Sequence, residues 1–213
     1  MPNLETAYTE GLRLFYSQKY DEAAALLTDA AEAGDAKSQH FLAMMYENGN
    51  GVEQDLARAA YWYGKTAEAG DRDAQLTYAM LLALGKGVEQ DIALACHWAT
   101  RSFHLGNANA IQTLQIVRGQ AAADAEAAVA AFQAAHLAGD EAEATRALTR
   151  AAECGNADAQ FALARLTLEG RGVAKDDEEA RFWFGEAAAQ GHAEAKLRLD
   201  ELMAAARDEV GAQ

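Results

Sequence analysis

One proline, two cysteines and three serines are all that 213 residues hold of these types. The proline is Pro2, so no later position loses a helical N–H to a pyrrolidine ring. Cys96 and Cys154 stand far apart and belong to no CxxC pair, which excludes a disulfide framework. Ser17, Ser38 and Ser102 supply no Gly-x-Ser-x-Gly elbow, and no Gly-Lys-Ser/Thr follows a glycine run. Basic residues are also scarce. Lys and Arg total 18 against 33 Asp and Glu, a formal net charge of -15. That balance argues against a general nucleic-acid interface and against anionic membranes. It is compatible with a basic partner, and also with an ordinary acidic soluble protein. No apolar run is long enough to span a bilayer, and Met1–Glu5 has neither a basic n-region nor an apolar h-region. A cytoplasmic location is the resulting expectation.

What is present is alanine and repetition. Alanine and the near absence of proline favour helix throughout, with close helix packing. Gly49-Asn50-Gly51-Val52-Glu53-Gln54-Asp55 returns 36 residues on as Gly85-Lys86-Gly87-Val88-Glu89-Gln90-Asp91. It returns 85 residues further as Gly170-Arg171-Gly172-Val173-Ala174-Lys175-Asp176. Trp62, Trp98 and Trp183 each follow the loop valine by ten residues, and Gly70, Gly106 and Gly191 close the blocks. A fixed period of this length marks a solenoid, whose units bury apolar faces only by stacking on one another.

Each block reads as two helices. Ala36–Glu47 ends at Gly49 and Gly51, which supply positive φ at the turn. Val52 plugs the loop, and Asp55 suits the N-cap of a second helix that runs to about Ala69. Arg72–Leu84 with Asp91–Leu105, and Ala157–Glu169 with Asp177–Gln190, repeat the pattern. The flanks 4–34 and 124–155 are tighter hairpins without the glycine loop. Ala151-Ala152-Glu153-Cys154-Gly155-Asn156 matches Ala30-Ala31-Glu32-Ala33-Gly34-Asp35 at a shift of 121. Two arrays are therefore expected. Residues 1–118 hold a hairpin, two glycine-loop repeats and a single helix (Asn107–Arg118). Residues 119–213 hold a hairpin, one glycine-loop repeat and a capping helix (Ala193–Ala206), whose Arg198, Asp200, Glu201 and Arg207 suit a solvated end. Arg118-Gly119-Gln120 interrupts the helical pattern at the seam. The alanine-rich stretch 120–138 reads as a flexible or a close-packed junction.

The glycine-loop blocks, with Ser38-Gln39, Leu42-Ala43, Tyr46, Gly49, Gly51-Val52, Asp55, Ala59, Trp62-Tyr63, Lys65-Thr66 and Gly70, resemble the Sel-one-like repeat, a relative of the tetratricopeptide repeat. The likeness is close over 36–106 and 156–191, while 4–34 and 124–155 look more like tetratricopeptide units. Leu82 and Thr167 stand where the pattern has Tyr46, so looser packing is expected there. The resemblance implies an all-α, α/α superhelical solenoid that acts as a scaffold or adaptor. Bacterial members look like signalling adaptors, regulators of envelope processes or immunity proteins. Secreted members often carry a disulfide in each repeat, and this chain lacks those cysteines.

Side chains that could carry chemistry read as structure. The Gly-x-Gly-Val loops follow helices rather than strands, so they are not dinucleotide cradles. Cys96 and His97 point to different helix faces, and no cysteine or carboxylate completes a metal set around His97 and His104. The recurring tryptophans read as wedges between helices. No catalytic, cofactor-binding or metal residue is assigned.

In such a superhelix the first helix of each pair lines the concave face, and its varying positions are the candidates for partner contact. These are Lys37, His40, Met44 and Glu47, then Asp73, Leu76 and Met80, then Asp158, Phe161 and Arg165, with Glu5, Tyr8 and Leu12 on the first hairpin. Met44, Leu76, Met80 and Phe161 are equally readable as core between repeats. Three functions follow: a non-catalytic scaffold binding a protein or peptide, an immunity or inhibitor protein occluding a basic effector, and an enzyme with a pocket at the seam. The third needs a deep pocket with two polarised titratable groups.

Overall fold

The computed structural model describes the backbone of residues 4–211 and the side chains of residues 4–204. Arg207 thus lies outside the described side chains. Among the described residues the chain forms twelve α-helices and no strand. They are α1 (Leu4–Tyr16), α2 (Tyr20–Glu32), α3 (Ala36–Asn48), α4 (Leu56–Glu68), α5 (Arg72–Leu84) and α6 (Ile92–His104), then α7 (Ala110–Gln120), α8 (Ala122–Ala138), α9 (Glu141–Glu153), α10 (Ala157–Glu169), α11 (Asp177–Ala189) and α12 (Ala193–Gly211). The chain forms two compact units, residues 1–117 and residues 118–213. Within each, consecutive helices pack as antiparallel pairs, an α/α solenoid.

Local chemistry sets the joints. Gly49, Gly85 and Gly170 take left-handed conformations that end α3, α5 and α10. The loop then closes back, with Asp55 N donating to the Tyr46 carbonyl at 3.0 Å. The Asp55 carboxylate accepts from the N–H groups of Ala57 and Arg58, both at 3.0 Å. Asp91 and Asp176 cap α6 and α11 in the same way. Asp55→Ala is expected to lower the stability of the first unit by about 1 kcal/mol, as loss of one N-cap does. Urea unfolding followed by tryptophan fluorescence reads this, and an unchanged midpoint contradicts it.

The turns between repeats carry a second recurring device. Asp35, Asp71 and Asn156 cap α3, α5 and α10. One turn later, buried Gln39, Gln75 and Gln160 donate from Nε2 to the carbonyls of Ala31, Ala67 and Ala152 at 3.0, 3.1 and 3.0 Å. Each glutamine ties the start of one repeat to the end of the previous one.

The core follows the repeat. Leu42, Ala43, Ala59, Ala74 and Leu81 pack in the first unit, and Leu148, Leu163, Ala164, Trp183 and Phe184 in the second. Alanines at these positions let the helices approach closely. The tryptophans do wedge inward, Trp183 at 2% exposed and Trp98 at 9%, whereas Trp62 is half-buried. The looser packing expected at Leu82 and Thr167 is absent, since both are buried and Thr167 Oγ1 donates to the Leu163 carbonyl at 2.9 Å. Gly119 does not interrupt helix, because α7 runs through it to Gln120, and the alanine-rich stretch from Ala122 to Ala138 is one ordered helix.

Candidate partner-binding face

In the first unit, α1, α3 and α5 are the first helices of their pairs. Tyr8 is half-buried against the Leu14–Leu27–Met45 cluster, with Lys37 Nζ 5.8 Å from its ring centroid. Burial raises the Tyr8 phenol above its ordinary value, and Tyr16 and Asp35 add to that, so it stays a neutral donor. Leu12 is half-buried and Glu5 exposed. His40 is half-buried on α3. Its ring meets Tyr63 edge-on at 5.6 Å, and its Nδ1 lies 3.5 Å from an Asp71 carboxylate oxygen. Glu47 accepts from the Tyr63 hydroxyl at 2.8 Å. Burial first, and that hydrogen bond second, push the Tyr63 phenol well up. His40 and Glu47 are therefore tied into the α3–α4 packing.

Met44 and Leu76 are half-buried, and Met80 is exposed. Asp73 is exposed and accepts from Asn107 Nδ2 at 2.9 Å. Tyr8 and Lys37 come together as a pair.

In the second unit Asp158, Phe161 and Arg165 stand on α10. Phe161 is a core residue, 9% exposed, between Phe184 at 5.7 Å and the stacked His192 ring at 4.5 Å. Packing has taken the side chain offered above as a partner contact. Asp158 is exposed, 3.5 Å from His192 Nε2. Arg165 is exposed, its guanidinium 5.9 Å from the Phe161 ring.

Arg165 also borders two hollows that sequence reading missed. One, of about 590 Å³, lies among α8, α9 and α10, with Phe132, Leu148 and Leu166 as apolar lining and His136 at the edge. The other, of about 530 Å³, lies among α10, α11 and α12, with Leu168, Phe184 and Leu202. Arg165 and Glu169 line both. The charges are mixed. Arg171 and Glu141 join the first hollow, and Glu194, Arg198 and Glu201 the second. Among the described residues no three His, Cys, Asp or Glu side chains gather as a metal site, and no helix is long and apolar enough to cross a membrane. Cys96 and Cys154 are buried and are not joined in a disulfide.

The Sel1 repeat model matches residues 6–35, 36–71, 72–107 and 157–192. This chain belongs to the Sel1 repeat family. The match takes in the first hairpin, which reads from sequence as closer to a tetratricopeptide unit. It is a Sel1 repeat with a shortened loop, its helices joined by Ser17–Lys19 alone. Among solved structures, a protective antigen of uropathogenic Escherichia coli with an SLR fold is similar over 93% of this chain, at 25% identity and a TM-score of 0.53. The chain spans 48% of that structure. A Sel1 repeat protein from Oxalobacter formigenes is 28% identical over 91% of this chain and 75% of its own, with a TM-score of 0.48. No curated protein matches the chain. Sel1 repeat proteins are generally protein-interaction scaffolds, and the fold is typically non-catalytic.

Proposed function

We propose that this Sel1 repeat protein is a non-catalytic cytoplasmic adaptor that holds a protein or peptide along the first-helix faces of its two arrays, 1–118 and 119–213. The observation that carries the reading is the pair of hollows flanking Arg165 and Glu169, the first mostly apolar within a charged edge and the second mostly charged around Leu168, Phe184 and Leu202. Apolar depressions rimmed by polar groups suit side-chain anchors of a partner. The first edge sets Arg165 and Arg171 against Glu141 and Glu169, and the second sets Arg165 and Arg198 against Glu169, Glu194 and Glu201, so neither carries a large acidic excess. That balance favours a mixed-charge partner over a strongly basic effector, and so favours the adaptor over the inhibitor.

Affinity capture from the native organism's lysate tests the reading, with wild type beside Tyr8→Ala/His40→Ala/Arg165→Glu. A specific partner is expected with wild type and about tenfold less with the folded variant. Equal recovery contradicts the assignment to this face.

A further inference from the structure

The 590 Å³ hollow has an internal counterpart that is filled. The shift of 121 residues that relates the two arrays sets Tyr20 against Glu141, Phe41 against Ala162 and Met45 against Leu166. In the first unit, Phe15 meets Phe41 edge-on at 4.9 Å and Tyr20 at 5.0 Å. Met45 is fully buried beside them. The loop glycine closes this seam. A Cβ on Gly51 would stand 2.2 Å from the Tyr20 backbone, so the loop lies directly on the first turn of α2. In the second unit two of those rings are absent, replaced by Glu141 and Ala162. Gly172 there meets only Thr145 Oγ1, at 2.9 Å from the same hypothetical Cβ, and no backbone within 4 Å. The loop meets α9 through that side chain and not its backbone, and the seam that aromatic rings fill in one array is open in the other.

We infer that this opening between α8, α9 and α10 binds an aromatic side chain of the partner, inserted where Phe41 and Tyr20 lie in the first array. The inference rests on the adaptor reading and names its anchor. The hollow falls within the roughly 300–1,000 Å³ of ligand-sized sites. The lining is apolar, with Phe132 stacked on His136 at 5.9 Å, which presents ring surface to an incoming ring. The edge is self-neutralising. Glu169 lies 4.0 Å from Arg165 and 3.4 Å from Arg171, and Glu141 balances the remaining charge. An uncharged ring meets that environment without leaving an ion unpaired.

The test uses the full chain with labelled alanine and leucine methyl groups, titrated with N-acetyl-phenylalaninamide and, as control, N-acetyl-leucinamide. Saturable shifts at Ala144, Leu148, Ala162 and Leu166 are expected with the aromatic amide, about tenfold weaker with the leucine amide, and lost in Ala162→Phe. Ala162→Leu, a smaller filler, is expected to weaken binding and guards against misfolding of the larger variant, with circular dichroism checking both. No saturable shift at these methyls, or binding undiminished by either filler, overturns the site. The captured partner gives the second arm, with an expected loss of about tenfold in affinity for Ala162→Phe. A partner that binds this variant undiminished overturns the anchor and leaves the adaptor reading standing. Amide binding with no protein partner overturns the partner as the source of the ring.

Discussion

Gly87→Ala is expected to cost the first unit roughly 2–5 kcal/mol, the sum of two effects. Gly87 has φ +71°, where an alanine pays about 1–2 kcal/mol. Its Cβ would also lie 2.0 Å from the Leu56 carbonyl oxygen and 2.8 Å from Ala57 N. These are backbone atoms at the start of α4, and they cannot step aside as a side-chain tip can. The loop must lift or the helix must shift, at about 1–3 kcal/mol for overpacking. Gly51→Ala, against Tyr20, is expected to behave alike. Two glycines serve as controls. Gly70 has φ +94° but nothing within 4 Å of a Cβ, and Gly172 has φ +74° and meets one hydroxyl. Each is expected to cost only the conformational part, about 1–2 kcal/mol. Urea unfolding read at Trp98 for the first unit, and by circular dichroism for the second, should rank Gly87 well above Gly70 and Gly172. Equal costs would mean that the loop does not bear on the preceding helix.

Trp183→Ala is expected to destabilise the second unit by roughly 3–5 kcal/mol, as removal of a buried indole does. The side chain is 2% exposed, among Leu148, Leu163 and Phe184. Alanine leaves a void among these side chains. Trp62 holds the same place in its repeat but is half-buried, and Trp62→Ala is expected to cost less than half as much. Calorimetry of the two variants separates them. A small effect at Trp183, or loss of a ligand without loss of stability, would contradict a packing role for these indoles.

Much of the fold is readable in the chain because it rests on local rules used repeatedly. Asp55 caps α4 because a carboxylate there meets free N–H groups, and Gly49 ends α3 because the turn needs positive φ. Both follow from residue type and spacing. Readings failed where packing between repeats decides. Leu82 and Thr167 stand where the pattern has a tyrosine, yet both are buried. Gly119 is carried within α7 because a single glycine costs a helix only about 1 kcal/mol. Phe161, readable in the sequence as contact or as core, is buried with its ring against Phe184 and His192. The hollow beside Arg165 was written in the sequence as Phe41 against Ala162 and Tyr20 against Glu141. A pair of substitutions becomes an opening only if the helices do not close over it, and only coordinates decide that.

We propose that the first-helix faces hold the partner. Site-specific photocrosslinking tests it most directly, with benzoylphenylalanine placed singly at Met80 and Arg165 on first helices, and at Tyr61 and Arg150 on second helices. All four positions are exposed. Crosslinks to one protein partner from Met80 or Arg165, and none from Tyr61 or Arg150, are the expected result. Crosslinks confined to Tyr61 and Arg150 would contradict the account and move the binding surface to the second-helix face.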